Sequence, residues 1–123
     1  MVSQTIIRKI EEFISILRGV EKIRVDKVIL FGSRSKGKTH KDSDIDIAVV
    51  SRDFGKDRYK EGSMLFEIAA KVDPRIEPVP ISSQSWEKDN WVPLFYEIKK
   101  TGVEIRTLVT EGRVQRQNVV RCK

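Results

Sequence analysis

The run Asp44-Ile45-Asp46-Ile47-Ala48-Val49-Val50 constrains the fold more than any other stretch of the chain. Its last four residues suit a strand, whereas aspartate is a poor strand former, so two acids at its opening need a reason. Strand side chains alternate between faces. Asp44 and Asp46 therefore share one face, while Ile45, Ile47 and Val49 take the other and can anchor the strand in a core. The two aspartate Cα atoms then lie roughly 6.5 Å apart. Carboxylates so placed repel each other unless something positive bridges them, and Mg²⁺ is the ordinary hard, oxygen-seeking ion for that role. Taken alone, Asp-x-Asp also has a plainer account, in which Asp44 caps a turn with Ser43 and Asp46 pairs with a lysine.

The segment just upstream ends a short apolar strand, Lys27 to Phe31, at Gly32-Ser33. Free backbone N–H groups and a hydroxyl at such a strand-to-turn junction can receive an anion, and glycine lets a phosphate approach the backbone. An ordinary turn with Ser33 as a helix N-cap would use the same residues. Arg34 follows directly and is placed to reach a phosphate or a ligand carboxylate. Lys36 and Lys38 raise the local concentration of anions. His40 reads as a loop residue, and Asp42 and Ser43 as the turn into the strand.

Elsewhere the apolar spacing is helical or alternating. Ile6, Ile7, Ile10, Phe13, Ile14 and Leu17 make Ser3 to Arg18 an amphipathic helix with Gly19 as its stop. Met64, Leu65, Ile68, Ala69 and Val72 form a second stripe within Asp57 to Val72, ended by Asp73-Pro74. Arg75 to Ile81 is a third strand, and Pro78 and Pro80 mark it as an edge or irregular one. Ser82 to Asn90 is loop or short helix, Trp91 to Lys100 a helix with Gly102 as its stop, and Val103 to Val109 a fourth strand. Residues 1–110 then form one α+β domain, a small mixed sheet of about four strands flanked by three or more helices. Residues 111–123 are expected as a mobile basic tail, a solvated end or partner arm containing Arg113, Arg116, Arg121 and Lys123. Trp86, Trp91, Phe95 and Tyr96 could stack on a base, but the spacing of Trp91, Leu94 and Phe95 favours core or a partner surface.

Length and charge narrow the classes. The 123 residues can bury a core without disulfides or a structural metal. A formal net charge of +6 favours anionic partners such as nucleotides. A lone cysteine, Cys122, permits no disulfide within the chain and suits a reducing compartment. No apolar run has membrane length, and no signal-peptide core follows Met1, so a soluble, cytoplasmic protein is expected.

Gly32-Ser33, ten residues from Arg34 to Ser43, then Asp44-Ile45-Asp46 is a Gly-Ser-x10-Asp-x-Asp pattern. With the first helix and the late "FYEIKKTGVEI", it resembles the minimal nucleotidyltransferases of the polymerase-beta-like superfamily, small proteins that are often antitoxin partners of HEPN-domain toxins. That resemblance implies a nucleotidyltransferase fold. It also implies that Gly32 and Ser33, with Arg34 beside them, bind the phosphates of ATP or another nucleoside triphosphate. Asp44 and Asp46 would hold two Mg²⁺ ions, for which Mn²⁺ can substitute. The family's third carboxylate, usually an aspartate on the neighbouring strand, falls here on Glu77, which would serve as metal ligand or proton acceptor. An Arg75–Glu77 surface pair is the alternative, and Asp73 the fallback, though Asp73 is better explained as a turn residue.

The expected activity is transfer of a nucleoside monophosphate, AMP from ATP, to a hydroxyl, the family suggesting a tyrosine of a HEPN partner. The alternative is a non-catalytic antitoxin that neutralises its partner by contact. Nucleic-acid binding ranks last, because no helix carries a Lys/Arg stripe with interleaved aromatics. The chain lacks room for a separate acceptor domain, so the acceptor would be held by a second protein or at a boundary within a homo-oligomer.

Overall fold

The computed structural model describes residues 3–32 and 43–106 in full and, beyond them, the backbone of short strands at 109–110, 113–114 and 118–121. The first helix, α1 (Gln4–Gly19), buries the six apolar residues of its stripe, and Ser3 caps it by accepting from the Thr5 N–H. Each such buried side chain stabilises the fold by roughly 1.5–3 kcal/mol relative to exposure. The helix runs through Gly19 to a C-cap at Val20 in ordinary helical conformation, and the left-handed residue of the following turn is Lys22. Gly19 is therefore not the stop that its position suggests.

The chain then forms β1 (Lys27–Phe31) and β2 (Ile45–Ser51), paired antiparallel with Phe31 opposite Asp46. Helix α2 (Arg58–Val72) carries it to β3 (Ile76–Ser82), which runs parallel to β2 with Glu77 opposite Asp46. Two short helices follow, α3 (Ser83–Lys88) and α4 (Pro93–Thr101), then β4 (Val103–Arg106), antiparallel to β1. Val109–Thr110 (β5) and Arg113–Val114 (β6) pair as a hairpin, and Asn118–Arg121 (β7) pairs with β4. The main sheet is thus mixed and five-stranded, in the order β3-β2-β1-β4-β7. β3 lies at the edge, as its two prolines require. Within the stretch expected as a basic tail, β6 and β7 have strand backbone, and β7 adds the fifth strand.

Both faces of β2 are used. Ile45, Ile47 and Val49 pack into the main core with α1 and α2, including Phe13, Leu17, Leu65 and Ala69. Ala48 and Val50 point the other way, into a smaller cluster with Ile29, Ile81, Trp86 and Ile98, where α3 and α4 cover the sheet. Trp86 and Phe95 meet there with ring centroids 5.9 Å apart. Gly102 ends α4, at φ −71°. What it needs is absence of a side chain, because a Cβ would lie 2.6 Å from Ile29 Cγ2 and 2.5 Å from the Ile98 carbonyl oxygen. Of the three residues expected as core or partner surface, Phe95 packs partly against the core, beside the buried Trp86, whereas Trp91 and Leu94 are exposed, as is Tyr96.

No helix among the described residues is long and apolar enough to cross a membrane.

Candidate functional site

Three carboxylates gather where β2 and β3 begin. Asp46 and Glu77 are direct neighbours across the parallel pair, and Asp44 precedes Asp46 by two residues, just before the strand starts at Ile45. Alternation places Asp46 on the face that further along carries Ala48 and Val50. At this end the covering helices give out: Asp46 is half-buried, and Asp44 and Glu77 are exposed. The apolar residues on the opposite face hold the strand in register, so the acids stand on a fixed backbone.

The acids are held against one another. The closeness of the Asp44 carboxyl raises the Glu77 pKa, first through hydrogen bonding to its protonated form, with slight desolvation and the charges of Asp44 and Asp46 acting in the same direction. Burial raises Asp46, and the charge of Asp44 raises it further. Among the described residues, no lysine or arginine forms an ion pair with any of the three.

Gly32 completes the arrangement. It follows Phe31, the register partner of Asp46, and sits at φ +75°, a region that suits glycine. A Cβ at this position would lie 2.5 Å from Asp46 Oδ2. The bare backbone of Gly32 therefore borders the Asp46 carboxylate, and any side chain would fill the space beside it. Ser33 and Arg34, expected to bind phosphate with Gly32, lie outside the described residues, as do Lys36, Lys38, His40 and Asp42.

The donor set suits a hard cation. Three carboxylates offer only oxygen, they have no cationic side-chain partner among the described residues, and their mutual repulsion would be relieved by a divalent ion. They do not form a closed cage: among the described residues, no group of three or more His, Cys, Asp and Glu side chains is already spaced as a metal site. Mg²⁺ commonly takes one or two carboxylates and fills its remaining positions with water and phosphate oxygens.

The two other readings of β3 can be placed. Arg75 clasps Asp73, with Nη2 2.7 Å from Oδ2 and Nε 3.0 Å from Oδ1, rather than serving Glu77 as a surface pair. Asp73 also accepts from the Arg75 N–H at 2.9 Å, as a turn residue does, and the guanidinium holds its pKa down at about 2. It is committed to the turn and is no third carboxylate. The register that sets Glu77 beside Asp46 depends on how the β2–α2–β3 crossover brings two parallel strands together, which side-chain spacing does not fix.

Residues 7–113 match the nucleotidyltransferase domain family. Over 100 residues the chain is 28% identical to a "putative protein adenylyltransferase" of Methanocaldococcus jannaschii, covering 81% of this chain and 98% of that one. A solved toxin–antitoxin structure with AMP-PNP superposes with a TM-score of 0.51 at 27% identity, over 78% of this chain and 68% of its own. A nucleotidyltransferase structure from Sulfolobus solfataricus gives the same TM-score at 16% identity, over 66% of this chain and 70% of its own, a likeness of fold.

Proposed function

The chain belongs to the nucleotidyltransferase domain family, and we propose that it transfers AMP from ATP to a hydroxyl of a protein, the acceptor being a tyrosine of a HEPN-domain toxin partner. The observation that carries this reading is the clustering of three carboxylates at the start of β2 and β3, without a cationic partner among the described residues and with Asp46 bordered by the backbone of Gly32. Acids pressed together at the end of a strand cost stability, and a cation–triphosphate site gives that cost a use. The names of two relatives, one an adenylyltransferase of protein and one a toxin–antitoxin pair with an ATP analogue, point the same way.

In the proposed reaction the acceptor oxygen attacks the α-phosphorus of ATP, a new P–O bond forms, and pyrophosphate leaves. Asp44 and Asp46 would hold Mg²⁺, with Glu77 as a third oxygen donor; when bound, the metal would neutralise phosphate charge and polarise the reacting oxygens. Gly32 leaves room for phosphate beside Asp46. Glu77, with its longer reach, would accept the proton of the acceptor hydroxyl. The protein's share is mainly position and charge.

The test is incubation of the full chain with Mg²⁺, ATP labelled on its α-phosphate, and a candidate HEPN-domain partner protein. Covalent label on a tyrosine of the partner, lost with Asp44→Asn/Asp46→Asn, is expected. No label on any acceptor, with the partner still neutralised by complex formation, would replace this reading with that of a contact-only antitoxin.

A further inference from the structure

A groove of about 820 Å³ runs along the outer edge of β3, away from the carboxylates. Its floor is Val79 to Ser82. One wall comes from the β2–α2 turn and the start of α2, with Arg52, Lys56 and Arg58; the other comes from the start of α4, with Trp91, Leu94 and Phe95. It begins at Val79, two residues beyond Glu77 on the same face of the strand, so its near end is roughly 7 Å along the backbone from the third carboxylate.

The walls differ in chemistry. On the apolar side Trp91 is 79% exposed and Leu94 41%, unusual for large side chains that nothing covers. On the basic side Arg52 is held by Asp26 at 2.8 Å, whereas Lys56 and Arg58 form no ion pair among the described residues. The two acids in the lining are Glu61 and Asp89. Glu61 is committed, accepting from the backbone N–H groups of Gly55, Lys56 and Asp57. The floor has its own restriction. The Arg75 carbonyl accepts from Ile45, so the odd-numbered residues of β3 face β2 and the even-numbered ones face outward. Of these, Pro78 and Pro80 have no N–H, and the Ile76 N–H is used by the Asp73 carbonyl. An incoming strand would find almost no donors, so β-augmentation is blocked.

We propose that this groove docks a non-β segment, a helix or turn, of a protein partner that presents an apolar anchor toward Trp91, Leu94 and Phe95 and acidic residues toward Lys56 and Arg58. Nucleic acid fits less well, because Glu61 and Asp89 stand in the lining, only two cations are uncommitted and the floor is apolar. The docked protein is the acceptor. That identification rests on the transfer reading above; the occupancy of the groove does not.

The test is selection of a random-peptide display library on the full chain, followed by fluorescence anisotropy with the enriched peptides. Peptides rich in Asp/Glu around a Leu, Phe or Trp are expected. Their affinity should fall at least about tenfold with Leu94→Asp, a loss of about 1.4 kcal/mol. Lys56→Glu/Arg58→Glu should shift preference towards Lys/Arg-flanked peptides. All these positions are exposed, and thermal melts would confirm that the variants fold. No enrichment, basic or unpatterned winners, binding indifferent to both variants, or preferential binding of oligo-dT or oligo-rU would each overturn the proposal. ATP-analogue binding measured on the same samples separates the two readings: its absence in the parent would strike the nucleotide site and leave the groove result standing.

Discussion

Two sets of aspartates in this molecule are treated in opposite ways. At the turns leading out of β2 and into β3, each acid has its arginine. Asp53 receives Nη2 of Arg24 at 2.5 Å and its pKa falls to about 2; Asp73 receives Arg75, with the same result. Asp26 is likewise lowered, first by Arg52, with help from the Ser83 hydroxyl. At the start of β2 and β3, Asp44, Asp46 and Glu77 have no Lys or Arg partner among the described residues, and both resolved shifts there run upward. The clamped acids tie turns to the sheet, whereas the other set has no cationic side-chain partner among the described residues.

The sharpest way to break this contrast is at Glu77. Glu77→Gln removes a proton acceptor and a ligand charge but keeps the shape. Transfer should fall roughly 10²-fold or more while ATP-analogue affinity changes little. Glu77→Asp should retain activity. Equal transfer rates in parent and Glu77→Gln would make Glu77 a bystander.

Gly32→Ala probes the same site through its backbone. The new Cβ would meet Asp46 Oδ2 in a conformation that favours glycine. Tens-fold weaker binding of an ATP analogue is expected, with about 1–3 kcal/mol of lost stability from strain. Parent-like affinity would place the phosphate elsewhere.

The clamped set should behave as structure. Asp73→Asn should cost about 1–2 kcal/mol near neutral pH, measured by urea unfolding. The native pKa of Asp73, about 2, lies below the ordinary 3.8. Its contribution is therefore fully present above pH 4 or so and disappears as the pH falls through about 2, and the gap between parent and variant should close over that window. Transfer activity, measured where both proteins are folded, should be unchanged.

The smallest effect has the opposite sign. Asp46 has a raised native pKa, so its ionised form is disfavoured by folding, and near neutral pH it lowers stability. In metal-free buffer Asp46→Asn should raise Tm by a few degrees at pH 7. The gain should shrink as the pH drops through the raised native value towards 3.8, because below that Asp46 is protonated in both states. An unchanged or lowered Tm at pH 7 would show that Asp46 is not under strain.

Much of this was legible in the sequence, for local reasons. The α1 stripe, the helix starts at Ser3 and Asp57, the proline-marked edge strand and the acids opening β2 all follow from spacing within a few residues. The pattern from Gly32 to Asp46 named the family that the match over residues 7–113 bears out. What escaped was long-range. Arg24–Asp53 and Arg52–Asp26 join residues 29 and 26 apart, and no periodicity pairs them. The contact of Gly32 with Asp46 depends on β1–β2 register, and the β3 groove depends on where α2 and α4 both begin. Gly19 failed as a stop because the turn takes its left-handed residue at Lys22 instead.

The most direct measurement is titration calorimetry of the full chain with a non-hydrolysable ATP analogue, with Mg²⁺ and then with chelator, in parent and Asp44→Asn/Asp46→Asn proteins. The account predicts binding that needs the divalent ion and weakens at least about tenfold in the double variant. Binding of equal strength with chelator, or in the double variant, would contradict it, because the unclamped carboxylates would then have no cation to hold.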